Sequence, residues 1–122
     1  MESRHSLFKS FQFAFDGVKI AVLKGKNFRV QLGVGILSIV LGLVLKLSSA
    51  EWLDLFLIIN LVLILELINT SLEAVVDLVS PEIHEKAKIA KDVAAAAVLI
   101  TSLTSVVIGA FIFLPKILQI FR

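Results

Sequence analysis

Three long apolar runs, separated by short charged segments, leave a chain of 122 residues few ways to fold. They lie at about 28–47, 52–79 and 93–114, and the third carries no charge at all. Each meets the roughly 20 residues an α-helix needs to cross a hydrocarbon core. Every backbone amide is then satisfied within its own helix, as a membrane demands. Composition points the same way. The chain is 58% hydrophobic, above the roughly 45–50% of an ordinary soluble domain, and a soluble fold this small would have to expose much of that surface. The sequence therefore predicts an all-α membrane protein, with residues 1–122 forming one domain without internal repeats.

The charges define the flanks. The net charge is only +2, and the basic residues fall between the apolar runs rather than along a stripe with interleaved aromatics, which excludes nucleic acid as a partner. The absence of cysteine excludes disulfides, thiolate metal sites and cysteine nucleophiles. The first 29 residues are charged throughout and lack an apolar h-region, so no signal peptide is expected. Residues 6–24 read as an amphipathic helix. Phe8, Phe11, Phe15, Val18 and Val22 share one face, and Lys9, Gln12, Asp16 and Lys19 another. Such a helix lies in the headgroup layer, Phe side down, unless it packs on the rest of the protein.

Orientation follows from counting Lys and Arg. Arg4, Lys9, Lys19, Lys24, Lys26 and Arg29 precede the first span, and Lys86, Lys88 and Lys91 lie between the second and third. Lys46, Lys116 and Arg122 are on the opposite side. Nine against three predicts a cytoplasmic N-terminus and second loop, with the C-terminus outside. In that loop, Ser80 is expected to cap a short helix with Pro81 at its first position and Glu82 in its first turn. Gly33 and Gly35, inside the first span, suit close helix packing.

The chemistry is concentrated in ELINTSLEAVVD, Glu66 to Asp77. Glu66, Asn69, Glu73 and Asp77 are spaced three, four and four apart, which places them on one helical stripe with Thr70 beside them. A carboxylate at membrane depth is costly unless protonated, paired or hydrated, so acids there are usually functional. With helix entry near Trp52, Glu66 lies roughly 21 Å along the axis at about 1.5 Å per residue, and Asp77 lies near the cytoplasmic surface. The stripe thus runs from the lipid interior to water. AKIAKD places Lys88, Lys91 and Asp92 at the entrance of the third span, level with Asp77. Blander readings exist for each: snorkelling for Lys88 and Lys91, interhelical glue for Asn69, a structural ion pair for Glu66 and Glu73, and a plain loop position for His84. No GxxxxGK[ST] or GxGxxG loop occurs, so any phosphate must be held by side chains and a metal.

The stretch ELINTSLEAVVDLVSPEIHEKAKIAKDVAAAAVL, Glu66 to Leu99, closely resembles the signature region of the prokaryotic integral-membrane diacylglycerol kinase and undecaprenol kinase family. The pattern E-x-x-N-x-x-x-E-x-x-x-D followed by A-K-D carries the resemblance, and the size, three-span layout and basic N-terminal helix extend it over nearly the whole chain. The resemblance implies ATP-dependent phosphorylation of a membrane lipid alcohol, with Mg²⁺ as cofactor, at the bacterial cytoplasmic membrane. Undecaprenol is favoured over diacylglycerol because IAKDVAAAAVL and SPEIHEKAKIAK look closer to the undecaprenol kinase branch. It further implies a homotrimer with active sites between protomers. Glu66 then falls at the proton acceptor for the lipid hydroxyl and Glu73 at a magnesium ligand. Lys91 and Asp92 fall in the nucleotide-binding pair, Glu82 to His84 in the loop over the nucleotide, and Asn69 and Asp77 at polar active-site positions.

Two positions depart from the family pattern. Gly25 stands where a second metal-ligating glutamate is normal, and Gln31 where many undecaprenol kinases have histidine. The first departure implies fewer protein ligands for the metal, or an inactive member, and Gly25→Glu is the expected restoring change. The rival from another class is a small proton or cation transport subunit, whose path would use Glu66, Glu73 and Asp77. The cluster at Lys88, Lys91 and Asp92 argues against it, because an ion path needs no anion-binding end.

Overall fold

A computed structural model describes residues 6–122 as four helices. They are α1 (Leu7–Lys24), α2 (Lys26–Leu45), α3 (Ser49–Val79) and α4 (Glu85–Ile120), and the described residues contain no strand. The last three are long and apolar enough to cross a membrane. Arg4, one of the basic residues counted for orientation, lies outside the described residues.

α1 starts where Ser6 accepts a hydrogen bond from the Lys9 backbone amide through its side chain. It ends at Gly25, the one residue separating it from α2. The elbow is fastened from the other side: Arg29 Nη1 donates to the carbonyls of Val22 and Leu23, at 2.9 and 3.0 Å. Those carbonyls belong to the last turn of α1, which has no intrahelical donors left for them. Only Ala21 of α1 is buried, and Phe8, Phe11 and Phe15 face outward. The Phe face is thus not used for packing within the chain, in keeping with a helix lying on a lipid surface.

α2 turns into α3 through Lys46, which adopts a left-handed conformation (φ 55°) and donates its backbone N–H to Gly42. The start of α3 is a reciprocal cap. Ser48 Oγ accepts from the Glu51 amide at 3.2 Å, while Glu51 Oε2 accepts from the Ser48 amide at 2.9 Å. Ser-x-x-Glu is the sequence signature of this box, so α3 begins at Ser49, three residues ahead of the expected Trp52. Glu51 also pairs with Lys116 of α4 at 3.1 Å, which ties the start of α3 to the far part of α4.

The link between α3 and α4 corrects one expectation. Residues 80–84 are not helical. Ser80 ends α3, donating its N–H to Val76 at 2.8 Å and its hydroxyl to the Glu82 carbonyl at 3.0 Å. No backbone amide among the described residues donates to its oxygen as a helix cap requires, and the five residues are too few to repay a helix nucleus. The cap falls instead on His84, whose Nδ1 accepts from the Lys86 amide at 3.1 Å. α4 also runs past the expected end at Leu114, through Pro115 to Ile120. Proline holds a helical φ and costs one backbone bond, whereas ending the helix in an apolar medium would leave several groups unpaired.

α3 and α4 form an antiparallel pair, and α2 lies against it. Leu47, Leu55 and Ile112 are buried together, with Trp52, Ile59, Ile108 and Phe113 around them, at the end away from the 80–84 loop. Glycine permits the close approach there. A Cβ on Gly42 would lie 2.8 Å from the Trp52 ring, and one on Gly35 would lie 3.1 Å from Ile59. Gly33 has nothing within 4 Å of such a carbon, so packing accounts for Gly35 and not for Gly33.

Candidate active site

Helical geometry carries the stripe of α3 from the bundle interior to the loop end. Glu66 is 4% exposed, which makes it one of two buried polar residues among those described. Its backbone carbonyl accepts from Thr70 Oγ1 at 3.0 Å, but its carboxylate has neither an ion pair nor a hydrogen-bond donor from the described residues. It lines an open cavity of about 330 Å³ between the three long helices. Asn27 and Gln31 of α2 and Ala95, Val98 and Ser102 of α4 contribute to the same walls. An unpaired carboxylate in such a place is a costly arrangement for structure alone.

One turn further, Asn69 Nδ2 donates to Glu73 Oε1 at 3.2 Å, and Asn69 Oδ1 is buried with no hydrogen-bond partner. That leaves an exposed carboxylate and an unsatisfied amide carbonyl on the same turn of α3. Among the described residues, no three His, Asp or Glu side chains converge as a ready metal cage.

At the loop end, Lys91 Nζ of α4 meets Asp77 Oδ1 of α3 at 2.5 Å, and Lys88 Nζ meets Asp92 Oδ2 at the same distance. Both pairs are solvent-exposed. Such pairs contribute about 0–1 kcal/mol, so a phosphate can exchange for a carboxylate at Lys91 with little loss of stability. Asp77, Glu82, His84, Lys88, Lys91 and Asp92 line one open groove beneath residues 80–84. The structure therefore brings Asp77, Glu82, His84, Lys91 and Asp92 together, holds Asn69 against Glu73, and sets Glu66 apart in its own cavity.

Gly25 sits in the elbow between α1 and α2. A Cβ there would come 2.7 Å from the Ala21 carbonyl oxygen and 3.2 Å from the Phe28 Cβ. The turn that a larger residue would have to occupy is closed by backbone. The polar lining contributed by Asn27, Gln31 and Ser102 was not among the expected site residues. The T-S-L-T-S run of the third span signalled a polar patch among apolar residues, without singling out Ser102.

The fold and these groups define a three-span membrane protein with an intramembrane carboxylate site joined along one helix face to a charged groove at the bundle end. Residues 12–113 match the sequence profile of the prokaryotic diacylglycerol kinase family. A diacylglycerol kinase of Synechocystis is 42% identical over 94% of this chain, which spans 66% of that relative's length. An undecaprenol kinase of Bacillus subtilis is 39% identical over 90% of this chain and 89% of its own length. A diacylglycerol kinase of Escherichia coli is 31% identical over 83% of both. The chain belongs to the prokaryotic diacylglycerol kinase family, a family of membrane lipid kinases.

Proposed function

We propose that this protein transfers the γ-phosphoryl group of ATP to the hydroxyl of a membrane lipid alcohol at the cytoplasmic face of the membrane, with Glu66 as the proton acceptor. The observation that carries this is the buried, unpaired Glu66 carboxylate on a cavity wall, on the same helix face as the Lys91–Asp77 pair. A lipid hydroxyl entering from the bilayer meets Glu66. Its oxygen attacks the γ-phosphorus, the bond to the β,γ-bridging oxygen breaks, ADP leaves, and the hydroxyl proton passes to Glu66. Lys91 and the groove of Asp77, Glu82, His84 and Asp92 hold the nucleotide. Phosphoryl transfer depends chiefly on such positioning and on neutralising the phosphate charge.

Mg²⁺ fits the residues present. It prefers hard oxygen ligands and commonly takes only one or two from the protein, the rest coming from phosphates and water. Glu73 and the unsatisfied Asn69 Oδ1 would hold it, and when bound it would supply charge neutralisation at the phosphates. A small protein donor set also accommodates Gly25 in place of a second acid.

Undecaprenol is the favoured acceptor, with diacylglycerol as the other. In support, the Bacillus relative named as an undecaprenol kinase aligns over nine-tenths of both chains. The excess of Lys and Arg around α1 and the 80–84 loop supports a cytoplasmic position for both. A homotrimer accounts for the outward-facing apolar surfaces of α2 to α4 and would complete a pocket that three spans only partly enclose.

The test is phosphate transfer from radiolabelled Mg-ATP in mixed micelles, with undecaprenol and diacylglycerol offered separately. Label in the lipid fraction is the expected result, and the ratio between the two assigns the acceptor. Absence of label from both, with folded protein, overturns the reading.

A further inference from the structure

Four hydroxyls lie close together on α4, and three return to their own helix. Thr101 donates to the Ala97 carbonyl at 2.8 Å, Thr104 to Ile100 at 2.9 Å, and Ser105 to Ser102 at 2.6 Å. This is the usual way for a hydroxyl to satisfy itself inside a helix. Ser102 does otherwise. Its Oγ accepts from Gln31 Nε2 of α2 at 2.9 Å, across 71 residues of sequence. Its own hydroxyl proton has no acceptor among the described residues, and Gln31 Oε1 has no donor. The pair therefore keeps one donor and one acceptor uncommitted.

Both residues line the cavity that holds Glu66. The antiparallel pairing also sets their depth. Lys91 and Asp77 are in contact, Glu66 is eleven residues from Asp77 along α3, and Ser102 is eleven residues from Lys91 along α4. At about 1.5 Å per residue, both stand roughly 16 Å from that contact. They are level with each other, on facing helices. Uncommitted hydrogen-bonding groups at this depth are expensive unless something occupies them.

Resting on the proposed lipid-kinase reading, we propose that the Gln31–Ser102 pair binds the hydroxyl of the lipid alcohol and orients it toward Glu66. The Ser102 hydroxyl donates to the oxygen of the incoming alcohol, whose proton points to Glu66. Gln31 holds Ser102 away from its own helix, and its Oε1 remains free to accept. A hydroxyl held by one donor and one acceptor keeps a lone pair for the phosphorus. The pair reads only the alcohol, so it serves either acceptor lipid.

The test compares Gln31→Leu, Ser102→Ala and Gln31→His with the wild type in mixed micelles. It reads the KM for lipid alcohol, the KM for Mg-ATP, and the thermal shift that undecaprenol or diacylglycerol produces without nucleotide. Loss of one neutral hydrogen bond corresponds to about a three- to ten-fold change. Gln31→Leu and Ser102→Ala should raise the lipid KM by that factor and shrink the lipid-induced shift, with the Mg-ATP KM unchanged. Gln31→His, which can both donate to Ser102 and accept from the cavity, should recover most of the effect. An unchanged lipid KM and shift in the first two variants would overturn the proposal. A fall in melting temperature with unchanged lipid KM and shift would assign the pair to interhelical packing, overturning it equally. A wild type that shows a lipid shift but transfers no phosphate defeats the kinase reading alone. One that shows neither defeats both.

Discussion

Lys91 Nζ and Asp77 Oδ1 stand 2.5 Å apart across α3 and α4, and this contact marks the vertical register of the bundle. The acidic stripe of α3 lies there against the basic entrance of α4, with both partners open to water. Depth along each helix can then be counted from this pair.

Lys91 exchanges its carboxylate partner for phosphate in the proposed cycle, so Lys91→Ala should weaken Mg-ATP binding. Hydrogen bonds to charged groups contribute about 1.5–3 kcal/mol, or about ten- to a hundred-fold in affinity. Nucleotide titration of the purified protein measures it directly. Unchanged affinity would return Lys91 to simple snorkelling.

Glu66→Gln keeps the shape of the side chain and removes the base. Turnover should fall about 10²–10⁴-fold, the usual cost of losing a general base, with nucleotide affinity close to wild type because Glu66 lies outside the groove beneath residues 80–84. More than about a tenth of wild-type turnover would rule out Glu66 as the proton acceptor.

Gly25→Glu is the change the family pattern invites, and the elbow geometry predicts a different outcome from the sequence expectation. The new Cβ would meet the Ala21 carbonyl oxygen at 2.7 Å, so backbone must move. Overpacking of this kind costs about 1–3 kcal/mol. We expect a lower melting temperature and no gain in phosphate transfer; Gly25→Ala should share the stability loss. Higher activity at unchanged stability would show that the elbow opens readily.

Glu51→Ala removes the carboxylate half of the α3 capping box and the pair with Lys116, while Ser48 Oγ still accepts from the residue-51 amide. Loss of one hydrogen bond costs about 0.5–1.5 kcal/mol, so thermal unfolding in micelles should shift downward while the lipid KM and Mg-ATP KM stay unchanged. Glu51→Gln, which can still reach the Ser48 amide, should shift less.

Much of this molecule was legible in its sequence because the bilayer imposes simple rules. Apolar runs of sufficient length had to be helices, since no water is available to satisfy their backbones. The spacing of Glu66, Asn69, Glu73 and Asp77 put them on one face whatever the packing, because a helix has a fixed period. That face and the A-K-D segment also carried the family resemblance. Local signals were read less completely. Ser48-x-x-Glu51 announced the start of α3, whereas Ser80 before Pro81 suggested a helix that the five residues before Glu85 are too few to form.

Packing decided the rest. Nothing local tells Ser102 apart from Thr101, Thr104 and Ser105, and only the approach of α2 turns it to Gln31. The isolation of the Glu66 carboxylate and the closure of the Gly25 elbow are likewise set by neighbours distant in sequence or by backbone direction. Sequence determines which segments enter the membrane and which polar groups travel with them, because that choice is governed by transfer from water. Which of those groups face one another is a matter of helix contact, and it is settled only when the three spans come together.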